Sequence, residues 1–141
     1  MVFANVVTEE RLVYSETVSG KPSFGATELG SQFHVTIIKT EAMGGPQPHI
    51  RFNYVVSLEY RFQNGFDYCH IEGVGTVPLS EKTAKSTCSL TVVDVSASLA
   101  EVNVTEGMLS CTLTVHFLTR YCTERYLNVL LASSEQNRRK S

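Results

Sequence analysis

Four histidines, four cysteines and fourteen acidic residues are the groups in this chain that could carry proton-transfer, metal or thiol chemistry. Their spacing decides how much of that chemistry is open to them. His34, His49, His70 and His116 are scattered, and no pair has the helix or knuckle spacing that builds a metal site. No Cys-x-x-Cys occurs, which argues against a zinc ribbon or a dithiol redox centre. The carboxylates are dispersed as well, and none pairs visibly with another for general acid–base work. Gly73-Val74-Gly75 is no dinucleotide fingerprint, because no helical pattern follows it. A Gly-x-Ser-x-Gly elbow, a phosphate loop and a His-Glu zinc motif are all missing. The residues therefore predict no catalytic group, no cofactor or metal site and no small-molecule substrate, and an enzyme is not expected. Asn103-Val104-Thr105 is a glycosylation sequon, which counts only in a eukaryotic secretory setting.

The cysteines divide by phase. Cys88 alternates with Leu90 and Val92, and Cys111 with Leu109 and Leu113, so both are expected in a core as small apolar groups. Cys69 and Cys122 stand near the ends of expected strands and are candidates for crosslinking between subunits. Cys69 shares its phase with Ile71, which weakens its claim.

The elements that position these groups read as strands. In Arg51–Phe62, Phe52, Tyr54, Val56, Leu58, Tyr60 and Phe62 fall on every second position with mostly polar residues between them. Side chains alternate across a strand, so one face is apolar and the other polar. A helix would scatter the same rings around its circumference. Before this strand, Phe33, Val35 and Ile37 alternate with His34, Thr36 and Ile38, and Met43-Gly44-Gly45-Pro46-Gln47-Pro48 returns the chain. Asn64-Gly65 predicts a type I′ hairpin turn, since both residues tolerate positive φ. Strands are then expected at 66–77, 87–93 and 108–118. Between the last two, Val95, Ala97 and Leu99 are in phase, and Ala100, Val102 and Val104 are one residue out. Such a slip predicts a β-bulge. Glu106-Gly107 turns the chain into Met108–Leu118. Residues 126–131 fit a last strand, or a short helix capped by Thr123, and the strand is preferred.

The first thirty residues differ. Val2, Phe3, Val6, Val7, Leu12, Val13 and Tyr14 make two apolar patches around Thr8-Glu9-Glu10-Arg11. Gly20, Pro22, Gly25 and Gly30 then separate them from the dense strand region. Two arrangements fit: an edge strand on the domain's own sheet, or an extended arm on the sheet edge of a neighbouring subunit. On the second, these seven side chains form an assembly surface.

Composition agrees with a β-domain. The chain has 141 residues, is 43% hydrophobic and 18% charged, and lacks Trp. That size suits one domain able to bury about two thirds of its unfolded surface. A net charge of −2 favours neither nucleic acid nor an anionic membrane. Arg138, Arg139 and Lys140 read as part of a solvated tail. No run is long and apolar enough to span a bilayer, and no signal-peptide pattern is visible, so cytoplasmic synthesis is expected. The organisation expected is an arm or edge strand at 1–30, an all-β antiparallel sandwich or jelly roll at 31–132, and a mobile polar tail at 133–141. Within it, 34–62 and 94–118 share a layout of strand, Gly-containing turn and longer strand, with Tyr60 and Phe117 in similar places.

Val92–Leu99, Val102–Leu109 and Thr114–Phe117 together resemble a repeat of the SPOCS domain, found in sporulation and spore-coat morphogenesis proteins. Val56–Ser80, with Tyr60 and the Val77-Pro78-Leu79-Ser80 connector, is similar to the half-repeat before it. The chain departs from that pattern in having Phe117 for Tyr and Leu79 for Phe. The resemblance implies a spore-associated structural or interaction role. The function expected is therefore homotypic assembly into a spore-associated or cell-surface fibre, tube or coat, with the chain itself as partner. A viral or phage structural subunit and a carbohydrate- or peptide-binding sandwich are the alternatives.

Overall fold

The computed structural model describes residues 2–80 and 90–127, with 2–5 and 123–127 described by backbone alone. Cys88 and the tail at 133–141 lie outside the described residues. Six antiparallel strands make up the fold: β1 (Val2–Gly20), β2 (Glu28–Met43), β3 (His49–Phe62), β4 (Gly65–Pro78), β5 (Thr91–Thr105) and β6 (Met108–Leu127). They form two three-stranded sheets, β1-β6-β5 and β2-β3-β4, packed face to face as a sandwich. β1 lies over β4 and β2 over β5, so β6 covers β3 at the centre. No helix occurs among the described residues, and none is therefore long and apolar enough to cross a membrane.

The central strands carry the core, because only they are flanked on both edges and covered on one face. Ile50, Phe52, Tyr54, Val56, Leu58 and Tyr60 of β3 are all buried. Leu109, Cys111, Leu113, Val115 and Phe117 of β6 face them and are buried too. Each such apolar side chain contributes roughly 1.5–3 kcal/mol by leaving water. The rings make specific contacts across the gap: Phe52 meets Phe117 at 5.1 Å and Tyr14 of β1 at 4.9 Å, the latter edge-to-face at 82°.

Gly73 and Gly75 make room for those rings. Opposite them on β3 stand Tyr54 and Phe52. A Cβ at Gly75 would collide with the Phe52 ring, and one at Gly73 with the Tyr54 ring. The Gly-Val-Gly run is thus a packing device, with Val74 pointing outward between the two.

Turns and bulges set the register. At Thr105–Met108, Glu106 and Gly107 take φ of 53° and 77°, as a type I′ turn requires. The β3–β4 hairpin differs from the sequence expectation. Phe62 pairs with Gly65, so Gln63 and Asn64 are the central residues, and neither Asn64 nor Gly65 has positive φ. The bulge expected late in β5 is present: Ala100 and Asn103 flank a register shift, and Glu101 has φ 51°. A second shift lies at Val92/Asp94, and of the strand expected at 87–93, residues 91–93 begin β5, while 87–89 lie outside the described residues. Val93 turns out as the extra residue, which keeps both Val92 and Val95 against the core. β6 continues as strand to Leu127, which decides between strand and helix up to that residue.

The two layouts noted in the sequence are the β2–β3 and β5–β6 hairpins. Each supplies an edge and the central strand of one sheet, with Tyr60 and Phe117 both 1% exposed. β4 completes one sheet and β1 the other.

Gly75→Val tests the packing of ring over glycine. Overfilling of this kind costs about 1–3 kcal/mol, so the chemical denaturation midpoint should fall while the β-type circular dichroism persists. An unchanged midpoint would mean that Phe52 has other space to occupy.

Candidate functional site

The first thirty residues hold the first expected site, and β1 turns out to be an edge strand of the chain's own sandwich. It pairs with β6 without a register shift, from Val2 opposite Leu127 to Gly20 opposite Leu109. Leu12 and Tyr14 pack on the core, and Val18 is buried. Val6 is half-buried, whereas Val7 and Val13 point outward and are 58% and 56% exposed. The side chains of Val2 and Phe3 lie outside the described residues. Other contacts fasten β1 as well. Arg120 forms an exposed ion pair with Glu9 at 2.8 Å, Thr119 donates to the Glu10 carbonyl at 2.9 Å, and Ser80 donates to the Glu10 carboxylate at 2.7 Å. The last of these ties β1 to the connector that follows β4 in the other sheet.

The cysteines named for crosslinking part company. Cys69 lies opposite Leu58 on the inner face and is 8% exposed, so it is not presented to a neighbour. Cys122 is exposed on β6. Burial pushes the thiols of Cys69 and Cys111 up, because the thiolate loses its hydration inside the sandwich.

The outer face of β2-β3-β4 gathers the polar groups that the sequence left scattered. His34, Ser57 and His70 stand side by side across three strands. Ser57 is 4% exposed between the two imidazoles, and its Oγ lies 2.8 Å from His70 Nδ1. One row further, the Tyr68 hydroxyl donates to Gln32 at 2.9 Å and to Glu59 at 3.3 Å. Partial desolvation, then the charge of Glu59, push this phenol up. In the other direction Ile38, Asn53, Val55, Glu72 and Val74 line a shallow depression.

A hydroxyl hydrogen-bonded to an imidazole is the start of a nucleophilic dyad, and it needs more to become one. A third group must orient the base, and N–H donors must face the developing oxyanion. Among the hydrogen bonds of the described residues, His70 meets no carboxylate. Ser57 sits in the middle of a central strand, where backbone groups are committed to both neighbours. Among the described residues no three His, Cys, Asp or Glu side chains cluster as a metal site. What this face offers chemically is a flat, laddered surface of hydrogen-bonding groups flanked by apolar ones.

No family model matches this chain, and neither the curated proteins nor the solved structures contain a match.

The apolar side chains on that surface are large. Phe66 is 65% exposed and Val74 52%, both on the outer face of β4, and Ile38 is 64% exposed at a bulge of β2. Phe24, 54% exposed, stacks on Phe62 at 4.8 Å in the β1–β2 connection. Sequence reasoning missed the Ser57–His70 pair, although counting back from a correctly placed turn would have found it.

Deleting residues 1–14 removes Leu12 and Tyr14 from the core and strips β6 of a partner, so the remaining chain should lose its cooperative thermal transition. A truncated chain that still melts cooperatively near the parent temperature would show that β1 is dispensable to the fold. For the thiols, mass spectrometry after native alkylation should find Cys69 and Cys111 unmodified until denaturant opens the sandwich. Labelling of either in native protein would show that its strand faces the other way.

Proposed function

We propose that this chain is a structural module that associates with copies of itself through strand edges and exposed apolar side chains. The observation that carries the reading is the set of large apolar groups on outward strand positions, Phe66, Val74, Ile38, Val7 and Val13, each more than half exposed. Burying such groups against a second surface is favourable by about 25 cal/mol per Å². Sheets that end in edge strands also present backbone groups able to accept another strand. No reaction is assigned to the chain. The resemblance to SPOCS repeats supports a spore-associated or cell-surface fibre, tube or coat as the assembled form.

A glycan- or peptide-binding module is the second reading, and one observation favours it. Phe66 and Tyr68 are exposed two residues apart on one face, beside Glu59 and Gln32. An aromatic ring with polar neighbours is a common way to hold a sugar or a peptide. A viral or phage subunit would share the first reading's physics and differ only in its setting.

Light scattering over a concentration series, with negative-stain microscopy of the concentrated sample, tests the proposal. Mass that grows with concentration, and ordered particles or fibres, are expected. A strict monomer at every concentration that binds immobilised glycans would replace the assembly reading with the module.

A further inference from the structure

The four edge strands of this sandwich are not equally open. β2 carries register shifts at Leu29/Phe33 and Ile37/Lys39, and β5 at Val92/Asp94 and Ala100/Asn103. Bulges of this kind bend an edge away from strand pairing and are a common guard against it. β1 and β4 have no shift, and they lie one above the other on the same side of the sandwich. Of these two, β1 carries Glu9, Glu10, Arg11 and Glu16, whereas β4 has no Lys or Arg and reaches Pro only at its last residue. Among the described residues β4 is a long, regular edge whose only acids are Asp67 and Glu72.

The direction of its backbone groups can be read from two hydrogen bonds. Arg61 accepts from Thr27 N at 2.9 Å, so its carbonyl points toward the β2 side. Pro48 accepts from Leu79 N at 3.1 Å, in step with the pairing of Phe62 and Gly65. Bonded and non-bonded pairs alternate along an antiparallel ladder. Arg61 and Phe66 are therefore a non-bonded pair, as are Glu59 with Tyr68 and Ser57 with His70. It follows that Phe66, Tyr68, His70, Glu72, Val74 and Thr76 turn their N–H and C=O groups away from β3, toward the open edge. One of these has a local substitute, since Tyr68 N donates to Asp67 Oδ1 at 2.7 Å.

We propose that the open edge of β4 pairs antiparallel with the same edge of a second copy of this chain, about a two-fold axis at Ile71. This rests on the homotypic reading above and assigns it a strand and a register. A two-fold contact brings one patch against itself, so the edge must be self-complementary. With the axis at Ile71 it is. The outward residues that meet are His70 with Glu72 of the second copy, Tyr68 with Val74, and Phe66 with Thr76, each pair occurring twice. All six positions are among those with edge-facing backbone groups, so every pair is a bonded one. The pairing calls for the His70 tautomer that accepts from Ser57 at Nδ1 and carries its proton on Nε2, where it donates to the Glu72 carboxylate opposite. Val74 stands opposite Tyr68 of the second copy, whose ring covers it by leaving Gln32 and Glu59. Tyr68 N exchanges Asp67 for the Val74 carbonyl. The contact joins two three-stranded sheets into one of six strands, with the two β1 strands alongside each other above it.

Proline gives a clean test, because the N–H of Val74 faces the edge and takes no part in the β3 ladder. Val74→Pro should keep the parent's circular dichroism and a cooperative melt while its apparent association constant falls at least about tenfold. Glu72→Lys should weaken association as well, by placing an ammonium opposite His70. The double variant His70→Glu/Glu72→Lys should recover most of the loss. Ser98→Lys, on the bulged β5 edge, should leave association unchanged. Sedimentation velocity over a concentration series reads all four beside the parent chain. A folded Val74→Pro that associates like the parent overturns the β4 assignment, as does loss of association in Ser98→Lys alone. Should the proline variant fail to fold, the charge pair decides, and failure of the double variant to recover overturns the register. A parent chain that is monomeric throughout overturns the homotypic reading itself.

Discussion

Phe52 is the contact on which the two sheets depend. Its ring touches Phe117 of the facing central strand and Tyr14 of the facing edge strand, and it lies over Gly75 of its own sheet. The last of these permits the other two. A side chain at Gly75 would push the ring out of line, and with it the edge-to-face contact to Tyr14. β4 is therefore thin on its inner face where the rings of β3 are broad, and the space between β4 and β1 is filled from the neighbouring strand. That arrangement also explains why β1 is fastened to this sandwich: Tyr14 closes a gap that β4 leaves open.

The central strands were legible because burial on one face and partnering on two edges leave a clean period of two. β3 announces itself in this way, and so does β6. The bulge in β5 was legible for a related reason, since Leu99 and Val102 can both face inward only if the chain slips between them. The edge strands carry a weaker signal. In β1 the consecutive Leu12, Val13 and Tyr14 put apolar groups on both faces, and only the partner strand decides which face is inside. That partner, β6, is a hundred residues or so along the chain, beyond the reach of any local pattern. The same limit hid the polar row on the outer sheet. With Asn64-Gly65 at the centre of the turn, Ser57 would have stood opposite Glu72, whereas pairing Phe62 with Gly65 sets it opposite His70. Moving the turn by one residue shifts the pairing by two, which changes every cross-strand neighbour without moving any side chain to the other face.

The packing of the core and the exposure of the edges are linked. β5 needs its bulges because its apolar residues fall out of phase, and an extra residue restores them to the core; the shifts of β2 leave Leu29, Val35 and Ile37 on the inner face and turn Ile38 outward. Those same bulges spoil the strands as templates for a further strand. β4 needs no such correction. Its glycines accommodate whatever β3 presents, so it runs fourteen residues in unbroken register. The device that lets the aromatic core close thus leaves one edge straight, and it turns Val74, between the two glycines, outward beside that edge. An edge of this kind ordinarily carries a lysine, a bulge or an early proline, whereas β4 has the Asp67 carboxylate on a single N–H and the charge of Glu72. If the strand existed only to fill its place in the fold, such openness would be a liability. Under the proposed pairing with a second copy, it is the feature that assembly requires.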